Sequence, residues 1–164
     1  MIIWIASYPK SGNTYLRSFL SSYYYSEDGK FNFNHLSNIR QFPNLKFSKF
    51  QAHTKEEASQ NWIFNQNEFF NKENFNLTKT HNCLYPFKGN QFTSSNLSLG
   101  AIYIVRDPRN VITSLTHHYS LNYEQALHHM TNEQSSLLET TVDDDYSNFT
   151  YLSSRANHYK SWKN

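Results

Sequence analysis

The chain has 164 residues, a net charge of +2 at pH 7 and equal shares, 17% each, of aromatic and charged residues. This length fits a single domain over residues 1–164, because domains of about 100–200 residues are typical. The small net charge gives no sign of a nucleic-acid partner, and none is expected. Cys83 is the sole cysteine, which excludes an intrachain disulfide and favours a reducing compartment.

The N-terminal apolar run predicts neither secretion nor a membrane span. It covers only residues 2–6, whereas a transmembrane helix needs about 20 apolar residues. We therefore expect a cytoplasmic protein without a membrane partner. Asn76, Asn96 and Asn148 begin glycosylation sequons, which an Asn-rich chain produces by accident.

The start of the chain predicts a strand, a tight loop and a helix. Residues 2–6 are apolar, Lys10 and Gly12 follow in a polar stretch, and helical spacing then extends from Thr14 to about Tyr25. Free N–H groups at a helix N-terminus attract anions, and Lys10 adds a full charge. Lys10 precedes Gly12 and no Lys-Ser/Thr pair follows, so the loop is not a Walker A motif. The helix is expected to face the sheet through Leu16, Phe19, Leu20 and Tyr23.

The middle of the chain is irregular and aromatic. Residues 56–70 fit a helix, Leu77 to Thr80 fits a strand, and Leu84 to Leu99 reads as a loop. Most rings of this part are expected in the core, since large aromatic side chains are usually buried there. The rings concerned are Phe42, Phe47, Phe50, Trp62, Phe64, Phe69 and Phe70.

A second strand-loop-helix unit begins at Ala101. Residues 101–105 are apolar and β-branched, Asp107 is a suitable N-cap, and Pro108 is a suitable first helical residue. Arg106 then stands at the end of a strand and Ser114 two turns into the helix. The helix is expected to be apolar on one face through Val111, Ile112, Leu115 and Tyr119. The local positive charges of the chain are Lys10, Lys79, Arg106 and Arg109.

The last part of the chain predicts two further helices. They are expected over Tyr123 to Met130 and over Asn148 to Trp162, with an acidic loop from Glu139 to Asp145 between them. The second helix should place Phe149, Leu152, Ala156 and Tyr159 on one side.

Four segments resemble motifs of the sulfotransferase family, in the family's order. Residues 8–15, Tyr-Pro-Lys-Ser-Gly-Asn-Thr-Tyr, resemble the 5′-phosphosulfate loop, usually Tyr-Pro-Lys-Ser-Gly-Thr-Thr-Trp. Arg106 and Ser114 have the separation of the 3′-phosphate motif, residues 79–81 match the Lys-Thr-His segment, and His158 and Trp162 match a His-x-x-x-Trp helix. The resemblance implies a P-loop-like α/β fold, with a parallel β-sheet flanked by helices.

The resemblance to the cytosolic-type members also implies a donor and residue roles. The donor would be 3′-phosphoadenosine 5′-phosphosulfate (PAPS), without a metal, and the acceptor a hydroxyl or amine of a small molecule or glycan. Lys10 would meet charge on the leaving phosphate, His81 would take the acceptor's proton, and Lys79 would lie near the sulfuryl group. The donor would be bound by Lys10, Ser11, Gly12, Asn13, Thr14, Tyr15, Arg106 and Ser114. In this family, the region before residue 76 helps to form the acceptor pocket.

Three alternatives follow from departures from these patterns. Family members continue after the helix ending near Trp162 with a strand and an Arg-Lys-Gly segment, so we expect a fragment, a minimal variant or a weak donor binder. A non-catalytic PAPS-binding module would keep the anion loop alone. A P-loop nucleotide kinase would share the strand-loop-helix unit at the start of the chain but needs Gly-Lys-Ser/Thr.

The His pairs at residues 117–118 and 128–129 lack the spacing of a zinc site.

Overall fold

The computed structural model describes residues 1–70, 74–138 and 144–163. Two short 3-10 helices occupy Phe33–Asn38 and Leu45–Phe47. No helix within the described ranges is long and apolar enough to cross a membrane. The elements in chain order are β1 (Ile2–Ser7), α1 (Asn13–Tyr25), β2 (Arg40–Gln41), α2 (Lys55–Gln60), α3 (Trp62–Phe69), β3 (Asn76–Thr80), β4 (Ser98–Ile104), α4 (Pro108–Tyr119), α5 (Tyr123–Thr131), β5 (Ser136–Leu137), β6 (Thr150–Tyr151) and α6 (Arg155–Trp162).

In the described part of the chain, four parallel strands form the main sheet in the order β2-β3-β1-β4. β1 lies at the centre, with Ile5 opposite Lys79 of β3 on one side and Ile102 of β4 on the other. The strands predicted at residues 2–6, 77–80 and 101–105 are confirmed and are neighbours in this sheet, although β4 starts at Ser98, inside the expected loop. β5 and β6 form a separate antiparallel pair.

The two faces of β1 bury different cores, because successive residues of a strand point to opposite sides. Trp4 belongs to the larger core, where the Phe92 ring lies 5.0 Å from Trp4 and 5.5 Å from Trp62 of α3. Ile5 points to the other side, where Leu16 of α1 packs. Helices thus flank both faces of the parallel sheet, as the α/β prediction requires.

The expected inward face of α1 is only half correct. Leu16 and Leu20 pack against the sheet, whereas Phe19 and Tyr23 are 63% and 72% exposed. The buried side of α1 includes Arg17 instead of these two rings. The Arg17 guanidinium donates to two carbonyls at the end of the first 3-10 helix. Polar contacts of this kind are invisible to a hydrophobic pattern, which explains the error for the two rings.

Residues 56–70 form two helices rather than one. α2 begins after Thr54, whose side-chain oxygen accepts the Glu57 N–H, and it ends at Gln60, with Asn61 as its C-cap. Asn61 has φ −88° and ψ −6°, away from regular helical values, and α3 restarts directly after it. Four of the seven rings expected in the core are buried, namely Phe42, Phe47, Trp62 and Phe70, while Phe50, Phe64 and Phe69 are exposed.

The predicted helix over residues 148–162 is wrong in its first half. Thr150–Tyr151 form β6, and α6 begins after Ser154, whose hydroxyl accepts the Asn157 N–H. Tertiary hydrogen bonds override the local pattern, because the Tyr151 N–H donates to the Asn82 side chain at 2.8 Å. The expected helical face is likewise divided: Phe149 and Leu152 enter two different cores, and Tyr159 is 41% exposed.

The other two expectations for this part of the chain have different outcomes. The helix predicted over Tyr123 to Met130 is confirmed as α5. Most of the expected acidic loop, residues 139–143, lies outside the described residues. In its described end, the Asp145 carboxylate accepts the Ser147 N–H.

Phe92→Ala is expected to lower the free energy of unfolding by about 3–5 kcal/mol, because it removes a fully buried ring at the centre of the larger core. Urea unfolding followed by tryptophan fluorescence measures the loss. Phe33→Ala is the matched control, since that ring is 76% exposed. Equal losses for the two variants would contradict the position of Phe92 in the core.

Candidate functional site

The carboxyl ends of β1, β3 and β4 lie at one edge of the sheet. Lys10 follows β1, His81 follows β3 and Arg106 follows β4, and all three line one cavity of about 390 Å³. Parallel strands in register bring their following loops together, so this edge is the usual place for a ligand in an α/β sheet. The structure therefore places these three side chains, which are far apart in sequence, around one space.

The loop between β1 and α1 is held from two sides. Gly12 is the N-cap of α1 with φ 101°, a left-handed conformation that favours glycine, and Lys10 has φ 64°. The Arg106 guanidinium donates to the Lys10 carbonyl at 2.9 Å, and the buried Asn13 amide donates to the Ile5 carbonyl at 3.0 Å. The loop conformation is thus fixed by β1 and by the residue after β4, with the N-terminus of α1 next to the cavity.

Most of the residues predicted for the site line the cavity. Ser11 and Tyr15 are the exceptions among the described residues: the Ser11 side chain is buried beside a different cleft, and Tyr15 is 83% exposed. The predicted residues that line the cavity are Lys10, Gly12, Asn13, Thr14, Lys79, His81, Arg106 and Ser114.

His81 is half-buried in the wall of the cavity, and its tautomer follows from its partner. The Ser7 carbonyl oxygen lies 2.7 Å from Nδ1 and can only accept, so Nδ1 carries the proton of the neutral ring. Nε2 is left with a free lone pair and has no partner among the residues described. Burial, with the Lys79 charge second, lowers the pKa of His81 to about 3. The imidazole is therefore neutral at pH 7.

Lys79 lies on β3 and lines the same cavity. Its ammonium donates to the Gln41 side-chain oxygen at 2.7 Å, which holds the charge beside His81 rather than free in solvent. This cation is the second cause of the lowered pKa of His81. An anion bound next to Lys79 would offset that effect and raise the pKa of His81 again.

The start of α4 has the predicted N-cap, but one of the predicted local positive charges, Arg109, does not line the cavity. Asp107 is the N-cap and accepts the Arg109 N–H, and Pro108 is the first helical residue. The Arg109 guanidinium forms an ion pair with the Asp107 carboxylate at 2.6 Å and does not line the cavity. Hydrogen bonds from Arg109 lower the pKa of Asp107 to about 2, so the pair stays ionised. Arg109 therefore does not supply free positive charge to the site.

Four cavity-lining residues were not predicted for the site: Pro9, His118, Tyr119 and Leu137. His118 lies one helical turn after Ser114 on α4, so the spacing of four residues could have indicated it. Leu137 belongs to β5, and no signal in the sequence connects it to this cavity. The described side chains contain no group of three or more His, Cys, Asp or Glu residues that could hold a metal ion.

The side of the cavity beyond His81 is polar. His81 and Leu137 also line a small adjoining cleft of about 20 Å³, together with Gln41, Asn44 and Asn148. The family resemblance places the region before residue 76 near the acceptor, but the rings of residues 31–70 do not contribute to either space among the described residues. They lie in the larger core or on the surface.

The helix α6 contacts the segment that carries His81. His158 Nε2 lies 2.8 Å from the His81 carbonyl oxygen, and Trp162 Nε1 lies 2.9 Å from the Asn82 carbonyl oxygen. The His-x-x-x-Trp spacing thus corresponds to two direct contacts with the residues after β3.

Comparisons with known proteins identify the family of the chain. A search of curated protein sequences gives no significant match. The family model of the sulfotransferase domain matches residues 2–164, which is essentially the whole chain. The chain belongs to the sulfotransferase family.

Proposed function

We propose that this protein transfers a sulfuryl group from PAPS to a hydroxyl or amine acceptor, and that residues 1–164 form one sulfotransferase-like domain. The observation that carries the proposal is the single cavity that receives Lys10, His81 and Arg106 from three neighbouring parallel strands. Membership of the family supports the type of reaction. The proposal adds the donor, the residue roles and a reducing, cytoplasmic location, which the buried free thiol of Cys83 supports.

The chemistry of the cavity wall fits a nucleotide with two phosphate groups. Lys10, Lys79 and Arg106 provide three cations, and the N-terminus of α1 adds free N–H groups. Lys10 and the loop amides would bind the 5′-phosphosulfate. Arg106 uses one N–H on the Lys10 carbonyl. Its remaining donors and the Ser114 hydroxyl have no partner among the residues that the structure describes, so they could bind a 3′-phosphate.

The proposed step moves one sulfuryl group and one proton. The acceptor oxygen or nitrogen forms a bond to sulfur while the bond from sulfur to the bridging oxygen of the 5′-phosphate breaks. The acceptor's proton goes to His81 Nε2, and the products are the sulfated acceptor and 3′-phosphoadenosine 5′-phosphate (PAP). Lys10 meets the charge that develops on the bridging oxygen, which is where fixed positive charge stabilises a transition state most.

His81 is suited to accept a proton when donor is bound. Its Nδ1–H is committed to the Ser7 carbonyl, so Nε2 is the nitrogen that can act as a base. The negative charge of the donor would offset the Lys79 cation and raise the pKa of His81 toward the range useful for general-base catalysis. Titration of the His81 ring by NMR with and without PAP tests this directly.

Arg106→Ala is expected to weaken binding of PAP more than binding of adenosine 5′-phosphate, since a hydrogen bond to a charged group contributes about 1.5–3 kcal/mol. Calorimetry with the two nucleotides, and with ATP and Mg²⁺ as a comparison, measures the difference. Part of the loss would be common to both nucleotides, because Arg106 also holds the Lys10 carbonyl.

Ser114→Ala is the cleaner companion variant, because Ser114 lines the cavity and, among the described residues, its side chain does not hydrogen-bond to the loop. It should affect PAP alone. Equal losses for both nucleotides in both variants would show that neither residue recognises the 3′-phosphate.

Tighter binding of ATP with Mg²⁺ than of PAP would favour a kinase, and PAP binding without any sulfate transfer would favour a non-catalytic binding module.

A further inference from the structure

The residues after β3 leave the main sheet, and their peptide groups find partners in other elements; the Cys83 N–H, for example, donates to the Tyr151 carbonyl of β6 at 2.7 Å. Buried backbone N–H and C=O groups need hydrogen-bond partners, and a segment outside the strand ladder must find them elsewhere. Three further partners come from one face of α6. His158 donates to the His81 carbonyl at 2.8 Å, Trp162 donates to the Asn82 carbonyl at 2.9 Å, and the Ser161 hydroxyl accepts the Leu84 N–H at 3.0 Å.

The His158 ring is itself fixed by two other elements. Its Nδ1 lies 2.8 Å from the hydroxyl of Tyr103 on β4, and the ring of Tyr8, just after β1, packs edge-on against it at 5.5 Å. His158 is fully buried. Because a carbonyl can only accept, Nε2 carries the proton that reaches the His81 carbonyl, and Nδ1 accepts from the Tyr103 hydroxyl. Both nitrogens of a neutral ring are thereby satisfied.

Trp162 is held in a comparable way. Its ring stacks on Tyr103 at 6.4 Å with an interplanar angle of 28°, and Phe92 lies 6.5 Å away. The two donors are four residues apart, so they lie on the same side of α6 and can reach two consecutive carbonyls. Both are rigid rings that need few torsions to be fixed.

We propose that His158 and Trp162 are positioning residues for His81. By holding the carbonyls of residues 81 and 82, they set the direction in which the His81 side chain leaves the backbone. That direction brings Nδ1 to the Ser7 carbonyl and leaves Nε2 free at the cavity wall. Neither residue lines the cavity, so their effect on the reaction passes through His81. This inference rests on the proposed role of His81 as base.

The test uses the tautomer of His81 as a readout that does not depend on activity. In ¹⁵N imidazole spectra, the parent protein should show His81 with Nδ1 protonated and Nε2 not. Trp162→Phe keeps an aromatic ring and removes the indole N–H together with part of the bicyclic ring. Trp162 is only partly buried at the edge of the larger core, so the protein should still fold, while the His81 nitrogens should shift toward an average of both tautomers. Tyr159→Phe, on the same helix with the side chain 41% exposed, is the matched control and should leave the spectrum unchanged.

His158 variants separate the hydrogen bond from the ring. His158→Leu should lose the single tautomer, and His158→Gln, which can still donate, should retain much of it. The affinity for PAP should change little, and turnover should fall by up to about 10²-fold for Trp162→Phe and His158→Leu, since small displacements of a catalytic group have effects of this size.

The outcomes distinguish this inference from the proposed function. A folded Trp162→Phe protein with the parent spectrum of His81 and the parent turnover would overturn the positioning role. If His158→Leu does not fold, the comparison of Trp162→Phe with Tyr159→Phe decides the matter alone. A parent protein that shows the expected tautomer shifts in its variants but transfers no sulfate would support the positioning role and refute the assigned reaction.

Discussion

His81→Ala is expected to lower the rate of sulfuryl transfer by about 10²–10⁴-fold while leaving PAP affinity nearly unchanged, as is typical for loss of a general base. In the proposed reaction Nε2 faces the acceptor, and the other nitrogen is bound to Ser7 rather than to a donor-binding residue. Single-turnover kinetics with PAPS, together with calorimetry of PAP, measures the two effects separately.

Lys10→Ala is the informative contrast. Lys10 is assigned to the same oxygen in the bound donor and, more strongly, in the transition state, so this variant should lose both affinity and turnover. His53→Ala is a suitable control, because that imidazole is exposed and does not line the cavity. A folded His81→Ala protein that binds PAP and transfers sulfate at the parent rate would refute the assignment of the base.

Mild acid is expected to destabilise the fold, because two histidines are held neutral. Burial is the largest cause that lowers the pKa of His81 to about 3 and of His158 to about 4, with smaller contributions from Lys79 and Arg155 respectively. Histidine in the unfolded chain has a pKa of about 6.5. Below that pH the unfolded chain therefore binds protons at these two residues, whereas the folded chain does not. The free energy of unfolding should therefore fall as the pH decreases from 6.5 toward 4, by an amount on the order of several kcal/mol.

Urea unfolding at pH 7.0, 5.5 and 4.5 measures this dependence. The carboxyl groups with lowered pKa, Asp28 and Asp107, titrate at lower pH than this window, so they should contribute little to it. His158→Gln should flatten the dependence on pH, because it removes one of the two groups. A free energy of unfolding that is the same at pH 7.0 and 4.5 would contradict the burial of both rings in neutral form.

The two strand-loop-helix units could be predicted from the sequence, because the residues that signal them lie close together along the chain. A short apolar run, a glycine with positive φ at residue 12, and the Asp107-Pro108 cap each act within a few residues, and the structure confirms both units. The order of the motifs was sufficient for the family, which the match over residues 2–164 confirms. The sequence did not show which positively charged side chains are available to the site, since Arg109 forms an ion pair with Asp107.

Only the tertiary structure decided what depends on contacts between distant residues. Residues 148–154 have a helical pattern, but hydrogen bonds to Asn82 and Cys83 hold them beside the end of β3, and a local pattern contains no information about such partners. The same is true of Leu137 in the cavity wall and of the unprotonated Nε2 of His81, which follows from a carbonyl 74 residues earlier. Local propensity and hydrophobic period thus determined the elements, while long-range hydrogen bonds and burial determined the chemistry of the site.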